Sequence, residues 1–171
     1  MNDIHNSQKE SVLCTDASVD PISGAIGIAC ILKSSDMEYE ISTGTSFYSI
    51  DFAKPHLAEI ISIVYGIKFA STVLNEGSRV AIFNDCMPSV KELNSWRKQD
   101  KFQGKVPEME FVFDMFKELQ SKFLSMRVLH VHGHRCPSKG MVYSFNAIVD
   151  SKARILMQTI RNKKSNAWRK T

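Results

Sequence analysis

The chain has 171 residues, 43% hydrophobic and 23% charged, with a formal net charge of +4. One domain is expected from that length, and the composition is that of a soluble globular protein. No apolar run approaches the roughly 20 residues of a membrane span; the polar stretch 1–10 has no signal-peptide pattern, and a cytoplasmic monomer without membrane contact is expected.

The chain divides into a flexible N-terminus (1–10), one α/β domain (11–160) and a basic tail (161–171). Ser11–Thr15 is a first strand, closed by the acidic and hydroxyl residues Asp16-Ala17-Ser18. Asp20-Pro21-Ile22-Ser23-Gly24 has turn chemistry. Ala25–Leu32 is nearly all apolar and makes a central strand. Met37–Thr43 alternates well enough for a third, giving an antiparallel meander. From His56 to Leu74 the period becomes helical, with Leu57, Ile60, Ile61, Val64, Ile67, Val73 and Leu74 in one stripe. Pro55 suits the helix start and Gly77 the stop.

Arg79–Phe83 is a fourth strand ending at Asn84-Asp85. A short helix over Pro88–Trp96 follows, then a basic loop, Lys98–Val106. Pro107–Phe123 is helical, with Phe111, Met115, Phe116 and Leu119 facing the core. Arg127–His132 is a fifth strand, Gly133–Gly140 a loop, and Ser144–Ile160 the last helix. The order βββ-α-β-α-α-β-α gives a five-stranded mixed sheet. Three strands are antiparallel, the later ones parallel, and helices cover both faces.

Four cysteines, Cys14, Cys30, Cys86 and Cys136, include no C-x-x-C pair, so a zinc ribbon is not expected and free buried thiols are. After Asp150 there is no acidic residue, while Lys152, Arg154, Arg161, Lys163, Lys164, Arg169 and Lys170 follow. This is either a solvated tail or an arm for phosphates.

Four acids fall at similar boundaries on this scaffold. Asp16 and Asp85 lie at strand exits, Glu59 in the first turn of the long helix, and Asp150 early in the last helix. Open α/β sheets place ligands along such an edge. Converging carboxylates repel unless cations lie between them, and Mg²⁺ or Mn²⁺ prefers oxygen ligands. Two such ions about 4 Å apart clamp an in-line phosphodiester displacement. Singly, each acid has a plainer reading, as a turn former, a helix-start acid, a cap or a surface charge.

From Ser11 to Arg154 the sequence resembles type 1 ribonuclease H. Thr15-Asp16-Ala17-Ser18 is similar to that family's T-D-G-S, and Gly24-Ala25-Ile26-Gly27 to its glycine-rich second strand. Ala58-Glu59-Ile60 resembles A-E-L, and Val80–Cys86 an apolar strand ending in T-D-S. Val131-His132-Gly133-His134 resembles V-K-G-H, and Asn146 with Asp150 keeps the N-E-x-x-D spacing. The resemblance implies a ribonuclease-H-like fold and two bound Mg²⁺ ions, held by Asp16, Glu59, Asp85 and Asp150. It implies that His134 assists proton transfer or product release. The implied reaction cleaves the RNA strand of an RNA–DNA hybrid, leaving 3′-hydroxyl and 5′-phosphate ends. Ser18, His56 and Asn146 fall among the implied substrate contacts. A polymerase or reverse transcriptase is the protein partner to consider. Ala17, Cys86 and Ala147 depart from the family pattern, as do Ala53-Lys54-Pro55-His56 and Val19-Asp20-Pro21-Ile22.

Trp96, Arg97, Lys98, Lys101, Phe102 and Lys105 interleave aromatic and basic side chains, a pattern that grips nucleic acid or simply anchors a solvated loop. His130, His132 and His134 alternate, which on a strand puts three imidazoles on one face and makes zinc conceivable. Two other functions stay open: a nuclease of the same fold acting on structured DNA or double-stranded RNA, and a nucleic-acid-binding module with weak catalysis.

Overall fold

The computed structural model describes residues 10–34, 37–38, 40–133 and 140–168, with side chains described as far as residue 163. Strands β1 (Ser11–Asp20), β2 (Ala25–Lys33) and β3 (Glu40–Tyr48) form the meander. Helix α1 (Pro55–Val73), strand β4 (Arg79–Asn84) and helix α2 (Met87–Trp96) follow. A 3₁₀ turn over Pro107–Met109 leads into α3 (Glu110–Gln120), then β5 (Ser125–His130) and α4 (Met141–Trp168). The sheet order is β3-β2-β1-β4-β5. β1–β2 and β2–β3 are antiparallel, while β1–β4 and β4–β5 are parallel.

The strand alternation sorts the core into two layers. Leu13, Cys30, Leu32, Val80 and Ile82 pack with α1, α2 and α3. Cys14, Ala29 and Ile31 face the other way, against Phe145, Val149 and Ala153 of α4. Helices thus cover both faces. Two glycines let them come close. A Cβ at Gly66 of α1 would lie 2.6 Å from Thr15 Cγ2, and one at Gly27 of β2 would lie 2.2 Å from the Ala153 carbonyl of α4.

Several boundaries differ from the sequence-based expectation. β1 does not stop at Thr15: its antiparallel pairing to β2 continues through Asp16↔Ala29 to Asp20↔Ala25, so the polar residues sit inside a paired strand. The β1–β2 turn closes through Gly24 N–H donating to Asp20 O, with Gly24 at φ +74. Against the expectation of no apolar run of membrane length, α1 is long and apolar enough by length and composition to cross a membrane. Here its Leu57, Ile60, Ile63, Val64, Ile67 and Ala70 are buried in the core. α3 keeps most of its expected face: Phe116 and Leu119 are buried and Met115 packs against the core, but Phe111 is 69% exposed, with Val112 and Phe113 buried in its place. The helix starts only after the 3₁₀ turn, whose Met109 already enters the core. α4 runs to Trp168, so Arg161 and Lys163 belong to a helix rather than a loose tail. Cys14 and Cys30 are buried free thiols, each pushed up to about 12 by burial. Cys136 lies outside the described residues.

Candidate metal centre

β1 outruns its parallel neighbour. Its register with β4 ends at Cys14↔Phe83, while the strand itself continues to Asp20. Beyond Cys14 that edge of β1 lacks a strand partner among the described residues, and side chains take the place of one. Asn84, at the end of β4, donates from Nδ2 to the Thr15 carbonyl at 3.1 Å and to Glu59 Oε2 at 2.8 Å. The Ala17 N–H also hydrogen-bonds Glu59. Glu59 is therefore built into the open edge of the sheet. It is the fifth residue of α1, just past the first turn where it was expected, since Pro55 is the first helical residue. Ser89 Oγ donates to the His56 carbonyl at 2.8 Å and ties the start of α1 to α2.

Asp16 and Glu59 are buried, Asp85 half-buried. Each offers an oxygen, and these three lie within 4.8 Å of one another. Asp85 follows β4 directly. Asn146 Nδ2 approaches its Oδ2 at 3.5 Å, and His130 Nε2 lies 3.1 Å from its backbone oxygen. A Cβ at Gly133 would come within 2.4 Å of Asp85 Oδ2, so any larger residue there would make that carboxylate turn.

Burial, then the charges of Glu59, Asp85 and Asp150, raises the Asp16 carboxyl well above the ordinary carboxylate range. Burial also raises Glu59, and Asp85 adds to it, while hydrogen bonds from Asn84 and the Ala17 N–H act in the opposite sense. Carboxylates held together at this electrostatic cost fit a hard divalent cation, which restores their charge and takes oxygen ligands.

Asp150 stands apart. It lies well inside α4, not at its start, and both its oxygens accept from Arg154 Nη2, at 2.9 and 3.0 Å. Its charge reaches Asp16, but it is not in the group of three. His134 lies outside the described residues.

The backbone has close structural counterparts. It is similar to the N-terminal RNase H domain from Mycobacterium tuberculosis, with TM-score 0.68 and 15% identity, over 91% of this chain and 98% of that one. It is similar to RNase H1 from the halophilic archaeon Halobacterium salinarum, with TM-score 0.66 and 14% identity, over 88% and 99%. The chain has the ribonuclease H fold. The same fold aligns with part of the prototype foamy virus protease–reverse transcriptase, with TM-score 0.68 and 20% identity, covering 90% of this chain and 21% of that one. No family model matches the sequence, and no curated protein matches it.

On the ribonuclease H fold the residues expected to bind substrate separate into groups. Trp96 is not available to nucleic acid: it is 2% exposed and packs edge-on against Phe113 and Phe116, with ring centroids 5.5 and 6.1 Å away. Phe102 is half-buried and lies edge-on to Trp96 at 5.9 Å. Aromatic side chains at the end of a helix served the core first. Lys98, Lys101 and Lys105 are exposed. Lys105, His56 and Phe102 line a hollow of about 320 Å³ beside the start of α1. Arg97 and Lys98 line another, with Asn94 and Gln120. Ser18 is half-buried on β1, two residues beyond Asp16, and Asn146 is buried beside Asp85. His130 ends β5 and its ring meets His132 edge-on at 5.0 Å. Sequence reading missed Asn84, whose signal was an amide closing an apolar strand just before an aspartate. It also missed Arg154, four residues after Asp150 on one helix face.

Proposed function

We propose that this protein is a divalent-cation-dependent endonuclease that hydrolyses the RNA strand of RNA–DNA hybrids. The observation that carries this is the meeting of Asp16, Glu59 and Asp85 within 4.8 Å on a ribonuclease H fold. The chemistry that a pair of bound Mg²⁺ ions, or Mn²⁺, supplies is activation of water and stabilisation of the departing 3′ oxygen, leaving 5′-phosphate and 3′-hydroxyl ends. Asp16, Glu59 and Asp85 would hold the ions, with Asp150 joining them on release from Arg154. Asn146 and Gly133 keep Asp85 in place. His56, Lys98, Lys101 and Lys105 would meet backbone phosphates, and His134 would assist proton transfer or product release. Work beside a polymerase is part of the proposal, supported by the match to one segment of a protease–reverse transcriptase.

A second substrate is favoured by one observation. Ala53-Lys54-Pro55-His56 replaces the Thr/Asn-rich segment that contacts the hybrid in the resembled family, and Lys54, Pro55 and His56 are exposed here. This fits a nuclease of the same fold acting on double-stranded RNA or structured DNA.

End-labelled hybrid, double-stranded RNA and double-stranded DNA, each with Mg²⁺, Mn²⁺ or EDTA, separate these. The expected outcome is metal-dependent cutting of the RNA in the hybrid, abolished by Asp85→Asn with binding retained. Cutting of another duplex alone keeps the centre and changes the substrate. Binding without cutting in any metal leaves a binding module.

A further inference from the structure

Asn84 is fully buried at the end of β4, next to Asp85. Both ends of its amide are engaged. Oδ1 accepts the Cys86 N–H at 2.9 Å, while Nδ2 donates to Glu59 Oε2 at 2.8 Å and to the Thr15 carbonyl at 3.1 Å. Reversing the amide would set Oδ1 against a carboxylate oxygen and Nδ2 against an N–H. The neighbours therefore fix its orientation. Ser62 Oγ lies 3.3 Å from the same Oε2 but gives its one proton to the Glu59 backbone carbonyl at 2.8 Å, so Asn84 is the side chain that holds that oxygen. Glu59 thus has one carboxylate oxygen committed to the protein.

Cations differ in what they ask of such a group. Mg²⁺ demands near-ideal octahedral geometry from a few single oxygens, whereas Ca²⁺ takes more ligands and accepts both oxygens of one carboxylate. We infer that Asn84 is a positioning residue that makes Glu59 a one-oxygen ligand, and so sets the centre for Mg²⁺ or Mn²⁺ over Ca²⁺. This rests on the metal centre proposed above. Binding Glu59 through both oxygens would require its hydrogen bond from Asn84 to break. Without that bond the carboxylate is free to turn, and the advantage of the smaller cation goes.

Calorimetric titration of the full chain with Mg²⁺, Mn²⁺ and Ca²⁺, without nucleic acid, tests this on wild type, Asn84→Leu and Asn84→Thr. Leucine has the same branched shape, with greater volume and no donor, while threonine keeps one hydroxyl donor. In Asn84→Leu, Mg²⁺ affinity is expected to fall about 10- to 100-fold, the range for loss of a group that orients a metal ligand. Ca²⁺ affinity falls much less, so the preference for Mg²⁺ over Ca²⁺ drops about tenfold. Asn84→Thr retains part of the preference. Circular dichroism checks folding, and if the leucine variant is unfolded the threonine variant decides on the same ratio. An unchanged ratio, including equal losses for both cations, overturns the inference and leaves the metal centre standing. A wild-type protein that binds none of the three cations overturns the metal centre and the inference with it.

Discussion

Asp16 has the most to gain from a cation. Its folded-state proton affinity is raised by burial and by three neighbouring acids, and Glu59 is raised with it. The sign of the pH effect follows. Below the ordinary carboxylate range both groups are protonated, folded or unfolded, and impose no penalty. As pH rises, the unfolded chain releases its protons before the folded one, so the metal-free protein loses stability up to the raised folded-state values. Thermal melts in EDTA from pH 5 to 9 should show a falling midpoint. Mg²⁺ should recover more of it at pH 8 than at pH 6, because the ion competes with protons for the same oxygens. Asp16→Asn removes the repulsion. It should be more stable than wild type in EDTA at pH 8, read as a higher melting midpoint, and should gain little from Mg²⁺. A variant that melts lower than wild type in EDTA and still gains from Mg²⁺ would contradict this. Gly133 is the steric counterpart. The Cβ of Gly133→Ala would lie 2.4 Å from Asp85 Oδ2, so that carboxylate must turn away. The expected result is a lower midpoint shift with Mg²⁺ at little cost to the metal-free fold.

β1, α1, β4 and α4 meet at that point because of close packing, and here the legibility of the sequence divides. Element type and order were readable, since an apolar strand and a helical stripe have different periods. The end of β1 was not. Asp16-Ala17-Ser18 breaks the apolar run, and only pairing to β2 keeps those residues extended. The exposure of Phe111 was hidden as well, because it is as apolar as the α3 residues that are buried. The acids were readable as a set, yet their unequal standing was not: Asp150 is held by Arg154, four residues further along α4, and only the placement of α4 against the sheet leaves it outside the group of three. α4 lies close because Gly27 has no side chain. In Gly27→Ala the new carbon would lie 2.2 Å from the Ala153 carbonyl and 2.5 Å from the Met157 nitrogen, both backbone, so the helix must move. A stability loss of about 1–3 kcal/mol is expected for such overpacking, read from urea midpoints. Trp96 belongs to the same level. Trp96→Ala should cost about 3–5 kcal/mol as a large-to-small core change, with duplex affinity unchanged wherever the variant remains folded. Loss of affinity in the folded variant would return Trp96 to the substrate surface.

The molecule carries a net charge of +4 while gathering carboxylates at one edge of its sheet, so attraction and chemistry must be separated in space. A polyanion approaching the three acids is repelled until cations neutralise them, and the approach depends on positive charge elsewhere. The exposed lysines after α2 fit that need, and Lys105 shares a hollow with His56, one helical turn from Glu59. The aromatic side chains among them serve another purpose: Phe102 lies edge-on to Trp96 and ties the loop to the core, which lets the lysines project without the loop wandering. Replacing Lys98, Lys101 and Lys105 together by alanine should therefore act on binding alone. Each lost phosphate contact lowers the slope of log affinity against log salt by about 0.9 for duplex DNA, so three give a large, salt-sensitive loss. The stabilisation by Mg²⁺ should stay at the wild-type value, because none of the three lysines belongs to the group of acids. In kinetics this reads as a raised KM with kcat retained at saturating duplex. A fall in kcat, or a changed Mg²⁺ requirement, would mean that the loop shapes the centre itself. The lysines would then have to be counted with Asp16, Glu59 and Asp85 rather than apart from them.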